Sequence, residues 1–161
     1  MDVRISKELK RFNHLLGEID AAYHDTAVRM GLSDSVMKVL YAICCSGERC
    51  ALQTICRRSG SSKQTINSAI RKLEGEGMVR LEASGARSKD VCLTPAGKEL
   101  AGRTAAPLIA LEDEIFSDWS PDEVERYVRL TERYLTAFRE KAGRFQKGGG
   151  TGRDGASGPG G

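Results

Sequence analysis

The chain has 161 residues, with 25 Lys and Arg against 22 Asp and Glu, a formal charge of +3 and 40% hydrophobic residues. That composition and length fit one globular core, and the absence of any run of about eighteen apolar residues excludes a membrane-spanning helix. The opening MDVRISKELKRFNHLL lacks an unbroken apolar stretch and a small-residue cleavage site, and the five cysteines have no framework spacing. A cytoplasmic protein with no membrane partner is therefore expected.

Residues 4–30 place Ile5, Leu9, Phe12, Leu16, Ile19 and Tyr23 at alternating steps of four and three, the stripe of one long amphipathic helix. Gly31 is the expected C-terminal stop and Ser33 the next N-cap. A second helix over Asp34–Cys45 collects Val36, Val39, Leu40 and Ile43 on one face. Cys50–Arg58 reads as a short third helix with Leu52, Ile55 and Cys56 turned inward. After the turn Ser59-Gly60-Ser61, Ser62 caps a fourth helix, Lys63–Glu74, whose apolar residues are Ile66, Ala69, Ile70 and Leu73. Its other face carries Lys63, Gln64, Asn67, Ser68 and Arg71. Gly75 and Gly77 end it.

Met78–Glu82 and Asp90–Thr94 alternate as two strands, and Ala83–Lys89 between them makes a β-hairpin with a basic tip. Thr94-Pro95 is an N-cap with proline at the first helical position, starting a fifth helix over Pro95–Trp119 that Pro107 should kink or break. Ser120-Pro121-Asp122-Glu123 is a capping box, and the sixth helix it opens carries Val124, Tyr127, Val128, Leu135 and Phe138 toward Phe145. Eight of the 18 glycines fall in residues 148–161, a composition too poor in apolar side chains to order itself, so a disordered tail is expected there.

Charge is unevenly divided along this order. Residues 1–56 carry seven basic and seven acidic side chains, residues 57–103 carry ten and five, and residues 104–147 carry seven and nine. The basic middle third coincides with the third and fourth helices and the hairpin, as in a module that faces a polyanion.

Helix, helix, short helix, turn, helix and hairpin is the order of a winged helix-turn-helix, so the expected fold is mainly α with a small β-hairpin wing. In that arrangement the second helix of the pair enters the DNA major groove, and its first turns must be polar and long enough to reach base edges. Lys63 and Arg71 can donate to guanine or to phosphate, and Gln64 and Asn67 can pair bidentately with adenine. Ser59, Ser61, Ser62 and Thr65 can hydrogen-bond phosphates, which the start of that helix favours, and Ser68 lies on the same polar face as a further contact. Arg87 at the hairpin tip fits a minor groove, with Lys89 beside it on the backbone.

Ser62-Lys63-Gln64-Thr65-Ile66-Asn67-Ser68-Ala69-Ile70-Arg71-Lys72-Leu73-Glu74, then Gly77-Met78-Val79, the hairpin and Leu93-Thr94-Pro95-Ala96-Gly97, resemble the MarR (multiple antibiotic resistance regulator) family of transcription factors. The resemblance follows the element order over residues 5–142 and is sharpest over 50–101. It implies a homodimer, usually a repressor, that binds a pseudo-palindromic operator in double-stranded DNA and releases it on binding a small, often aromatic, ligand or on cysteine oxidation. It further implies an N-terminal dimerisation helix over 1–31, the DNA-binding domain over 32–101, and C-terminal dimerisation helices over 102–147. The wing departs from the family's usual Asp-x-Arg, since Gly85-Ala86-Arg87 has no aspartate. Apart from the resemblance, a helix-turn-helix alone cannot cover the apolar stripes of the first and sixth helices, and a second copy of the chain is the economical cover.

Two other uses of this fold compete: a cysteine-based redox sensor and a winged-helix protein-interaction module that binds no DNA. Cys44 and Cys56 read as small core residues, and Cys50, at a helix start beside Arg49, is the best place for a stabilised thiolate. His14/Glu18 and Asp20/His24 are i,i+4 pairs without a third ligand nearby, so ordinary surface pairs are expected. Tyr23 and His24 fall where relatives have a ligand cleft. The chain has no C-x2-C pair, nucleophile motif or phosphate-cradling glycine loop, so no cofactor, metal or enzymatic activity is expected.

Overall fold

The computed structural model describes residues 4–85 and 88–146. In chain order the elements are α1 (Lys7–Arg29), α2 (Asp34–Cys44), β1 (Arg49–Ala51), α3 (Leu52–Arg58), α4 (Lys63–Gly75), β2 (Val79–Ala83), β3 (Lys89–Leu93), α5 (Pro95–Arg103), α6 (Ala105–Ser117) and α7 (Pro121–Gln146). The chain divides into two units, Met1–Asp113 and Glu114–Gly161. No helix among the described residues is long and apolar enough to cross a membrane.

The first unit holds a core of aliphatic side chains from every layer of the helix-turn-helix. Val39, Leu40 and Ile43 of α2, Ile55 of α3, Ile66 and Leu73 of α4 and Val91 of β3 are all fully buried. Each such side chain contributes about 1.5–3 kcal/mol by leaving water. Burying the inner face of α4 at Ile66, Ala69, Ile70 and Leu73 leaves its other face to solvent, which the helical period requires.

Helix starts follow the capping residues read from the sequence. Ser33 Oγ accepts the Val36 N–H (3.4 Å), Ser62 Oγ the Thr65 N–H (3.1 Å) and Thr94 Oγ1 the Gly97 N–H (3.0 Å). Stops are also as expected at Gly31 and Gly77, whose φ of +75° and +72° suit a residue without Cβ. Gly97 answers a different need. A Cβ there would lie 1.8 Å from the Met78 carbonyl oxygen, because the first turn of α5 rests directly on the backbone entering β2. Thr94 reinforces that seat by donating its hydroxyl to the Gly77 carbonyl (2.6 Å).

The strands form one antiparallel sheet in the order β1-β3-β2, with Leu81 opposite Val91 and Cys50 opposite Val91 on the other side. Strand β1 corrects the sequence reading, in which Cys50–Arg58 is helical throughout. Residues 49–51 instead satisfy their backbone by pairing with β3, and the helix begins at Leu52. Cys50 is consequently a buried strand residue, 5% exposed, whose Sγ accepts from Ser46 Oγ at 3.3 Å. It does not occupy the helix-start position that favoured a thiolate.

The helix expected over Pro95–Trp119, with a kink or break at Pro107, is divided into α5 and α6. The chain breaks at Thr104 (φ −130°, ψ −82°), whose buried hydroxyl donates to the Leu100 carbonyl at 2.6 Å. Pro107 accounts for the position: it has no N–H for the Arg103 carbonyl and its ring would strike that carbonyl in a continuous helix.

The second unit contains α7, opened by the expected capping box. Glu123 Oε2 accepts from the Ser120 N–H (2.9 Å) and Oγ (2.8 Å), and the Glu123 N–H donates to Ser120 Oγ at 3.4 Å. Those hydrogen bonds hold the Glu123 carboxyl below its ordinary range. Phe116, Trp119 and Tyr127 form an aromatic cluster beside the box, with ring centroids 5.2–6.1 Å apart. The glycine-rich tail at 148–161 lies outside the described residues.

Candidate nucleic-acid interface and cavity

The outward face of α4 gathers most of the residues singled out for base and phosphate contacts. Lys63, Gln64, Thr65, Ser68 and Arg71 are exposed, Asn67 is half-buried, and all project from one side of the helix. Ser62 is exposed at the N-cap, and Ser61 is half-buried in the turn before it. Among the described residues, neither Lys63 nor Arg71 has a carboxylate at ion-pair distance. Three hydroxyls are partly committed: Ser62 Oγ lies 2.8 Å from Thr65 Oγ1, and Ser68 Oγ donates back to the Gln64 carbonyl at 3.0 Å. Both amides, Gln64 and Asn67, remain available to an incoming partner.

On the wing, Lys89 opens β3 opposite Ala83 and is exposed. The loop closes through the Ser84 N–H to the Ser88 carbonyl (3.1 Å) and between their hydroxyls (3.2 Å). Arg87 lies outside the described residues. Several basic residues counted in the sequence are tied up in and around the sheet. Arg80 meets Glu82 at 2.6 Å, Lys98 meets Glu48 at 2.6 Å, and Arg49 bridges Asp90 at 2.9 Å and Glu82 at 3.5 Å. Among the described basic residues of 57–103, those without a carboxylate at ion-pair distance are Arg57 and Arg58 at the end of α3, Lys63 and Arg71 on α4, Lys89 on β3 and Arg103 on α5.

Beside this surface the first unit has a half-open cavity of about 640 Å³ between α1, α2, α3 and α6. Tyr23 and His24 border it, as expected, and the structure adds residues that no spacing in the sequence points to. The Glu112 carboxylate of α6 accepts both the Tyr23 hydroxyl from α1 and the Tyr41 hydroxyl from α2. Burial first, and then the Glu112 hydrogen bond and charge, hold the Tyr41 phenol well above the usual range, so it stays a donor. His24 pairs not with Asp20 but with Asp34, its Nδ1 lying 2.9 and 3.1 Å from the two carboxylate oxygens. Ala27, Met37, Ala42 and Leu108 supply apolar walls, and Lys38 and Arg58 supply cations.

The cysteines are divided. Cys45 is exposed, Cys44 and Cys56 are half-buried against the core, and Cys50 and Cys92 are buried. Burial raises the Cys44 thiol, and burial followed by the Glu82 contact raises that of Cys92, so neither is a ready thiolate. No group of three metal-ligating side chains occurs among the described residues.

Comparison with known proteins finds relatives of this geometry. Residues 30–88 match the model of the MarR family. An uncharacterised 37.1 kDa protein of transposon TN4556 from Streptomyces fradiae is 41% identical over 61 residues, which are 37% of this chain and 17% of that protein. The chain thus spans under a fifth of the curated relative it matches. A MarR family transcriptional regulator from Silicibacter pomeroyi has a similar structure, with 26% identity, a TM-score of 0.61, and coverage of 78% of this chain and 86% of that one. BpsR of Bordetella bronchiseptica, whose DNA binding is regulated by 6-hydroxynicotinic acid, has a TM-score of 0.58 at 20% identity, covering 78% and 98%. Over residues 30–88 the chain is thus similar to the MarR family, and the winged helix-turn-helix built on α2–α4 and β1–β3 is the fold it shares with these transcriptional regulators.

Proposed function

We infer that this regulator is a homodimeric repressor that reads a pseudo-palindromic operator in double-stranded DNA and lets go when a small aromatic ligand fills the cavity. The observation that carries the DNA reading is the outward face of α4. Its Lys63, Gln64, Asn67 and Arg71 point away from the core, and among the described residues no carboxylate lies at ion-pair distance from Lys63 or Arg71. Ser61, Ser62, Thr65 and Ser68 serve the phosphates around the same helix, and Arg87 and Lys89 reach the flanking groove from the wing. Residues 32–101 are the DNA-binding domain in this reading, and residues 1–31 and 102–147 hold two copies together. A protein-interaction module would have no use for long polar side chains aligned at groove-reading positions. The redox alternative is weakened by the burial of Cys50 and the raised thiols of Cys44 and Cys92.

Ligand release is supported by the cavity, which is large enough for a small ring and joins apolar walls to polar groups at fixed positions. The similarity to BpsR, whose DNA binding responds to an aromatic acid, points the same way. Selection of bound duplexes from a random pool tests the DNA reading. The expected product is an inverted repeat whose half-sites are centred about 10 base pairs apart, the spacing of successive major grooves. A pool that never converges would refute sequence-specific binding.

A further inference from the structure

One side chain belongs both to the cavity and to the support of α4. Lys38 of α2 lines the cavity, and its Nζ donates to Ser61 Oγ at 3.1 Å. Ser61 sits in the turn between α3 and α4, where its N–H donates to Ser59 Oγ at 3.2 Å. Ser59 also lines the cavity and donates to the Cys56 carbonyl near the end of α3 (3.0 Å). One residue after Ser61, Ser62 caps α4. Lys38 therefore ties α2 to the turn from which the recognition helix starts.

The charged groups around the cavity differ in how well they are matched. Glu112 is satisfied by two phenols, and Asp34 faces His24. Lys38 and Arg58, both exposed, in contrast make side-chain hydrogen bonds to hydroxyls, Ser61 and Ser46, and among the described residues no carboxylate lies at ion-pair distance from either. A carboxylate is a stronger partner for an ammonium than a neutral hydroxyl. Asp20 on α1, Asp34 on α2 and Glu112 on α6 also place negative charge around the cavity, so among its lining residues an entering acid finds cationic partners in Lys38 and Arg58.

We propose that Lys38 is the positioning residue that couples the cavity to α4. A small aromatic acid in the cavity draws the Lys38 ammonium away from Ser61, and the turn that starts the recognition helix loses its tie to α2. This rests on the ligand-release reading above and adds its route. A ligand that uses Lys38 binds best where the Lys38–Ser61 bond is open, so operator and acid weaken each other by one common factor.

The test uses the full chain, an operator duplex from the selection, 4-hydroxybenzoate as the acid and benzamidine as its cationic counterpart. In the wild type, 4-hydroxybenzoate weakens operator binding by about tenfold, within the usual range of such couplings, and the duplex weakens 4-hydroxybenzoate binding equally. Benzamidine has no such effect. Ser61→Ala lowers basal operator affinity, since Ser61 is itself in the contact set, but it binds free 4-hydroxybenzoate at least as tightly as wild type while the coupling factor falls toward one. Lys38→Met loses both acid affinity and coupling, and Lys38→Arg, which keeps the charge and the donor, restores them. A Ser61→Ala protein with the wild-type coupling factor overturns the route and leaves ligand release standing. A wild type that does not bind 4-hydroxybenzoate, or binds it without effect on the operator, overturns the proposal along with an acid as the releasing ligand.

Discussion

Gln64 and Asn67 lie three residues apart on α4, and each ends in an amide that can donate and accept at once, the pairing that adenine offers in the major groove. Gln64→Ala or Asn67→Ala should each erase preference at one base pair per half-site, costing about 1–3 kcal/mol, as read by competition among operator variants. Unchanged preference in both variants would move the recognition face elsewhere. Lys63→Ala and Arg71→Ala should differ in kind, weakening all duplexes alike and flattening the salt dependence if they meet phosphate. Gly97 carries the fold rather than the contact. Gly97→Ala puts a methyl group 1.8 Å from the Met78 carbonyl oxygen and should cost about 3 kcal/mol in denaturant unfolding. Gly102→Ala, on the same helix with nothing within 4 Å, should be neutral or stabilising by up to about 1 kcal/mol. Equal stabilities for the two variants would contradict this seating of α5 on β2.

At the scale of elements, what was legible in the sequence follows from how local each signal is. Ser33, Ser62, Thr94 and Ser120 cap the helices that follow them, because a cap needs only its own first turn. The polar face of α4 was legible for the same reason: its inner stripe at Ile66, Ile70 and Leu73 fixes which side chains turn outward. Strand β1 was not, since three residues are too few to show alternation and Arg49–Ala51 becomes a strand only by meeting β3. The break before α6 was visible as Pro107, but its place at Thr104 depends on which carbonyl the proline ring displaces. The Tyr23–Glu112–Tyr41 contacts and the Lys38–Ser61 bond lie beyond sequence patterns, joining residues up to 89 positions apart. The α7 box offers a pH test of its own. Glu123 has a lowered pKa in the folded chain, so its stabilisation is fully present above the ordinary glutamate value of 4.5 and is lost as pH falls through the lower folded value. Amide exchange in the first turn of α7 should therefore quicken in acid relative to the middle of the helix, and Glu123→Gln should flatten that difference. A first turn with the same acid dependence in Glu123→Gln would assign the effect to another group.

For the whole molecule, the decisive question is what covers the apolar side chains that a single chain leaves in water. Ile5, Leu9, Leu16, Ile19 and Tyr23 on α1 are each more than a third exposed, and so, in the second unit, are Tyr127, Val128, Leu135 and Phe138 on α7. Single exposed apolar residues are ordinary on a protein surface, but stripes repeated along helices of 23 and 26 residues are not. A second copy would cover them and would also hold two α4 helices about 34–36 Å apart, the separation that successive major grooves demand. Ile19→Asp and Phe138→Asp discriminate because of this exposure. In a lone chain either aspartate stays in water, so the core around Leu40, Ile55, Ile66 and Leu73 should fold as before. In a dimer seam the same charge is stripped of water without a partner, at a cost of several kcal/mol. The expected variants are folded monomers by sedimentation and circular dichroism, with operator affinity collapsed although no residue of α4 or the wing has changed. Variants that sediment as the wild type and bind its operator with undiminished affinity would show that these stripes are not the interface, and the inverted-repeat operator would lose its structural basis.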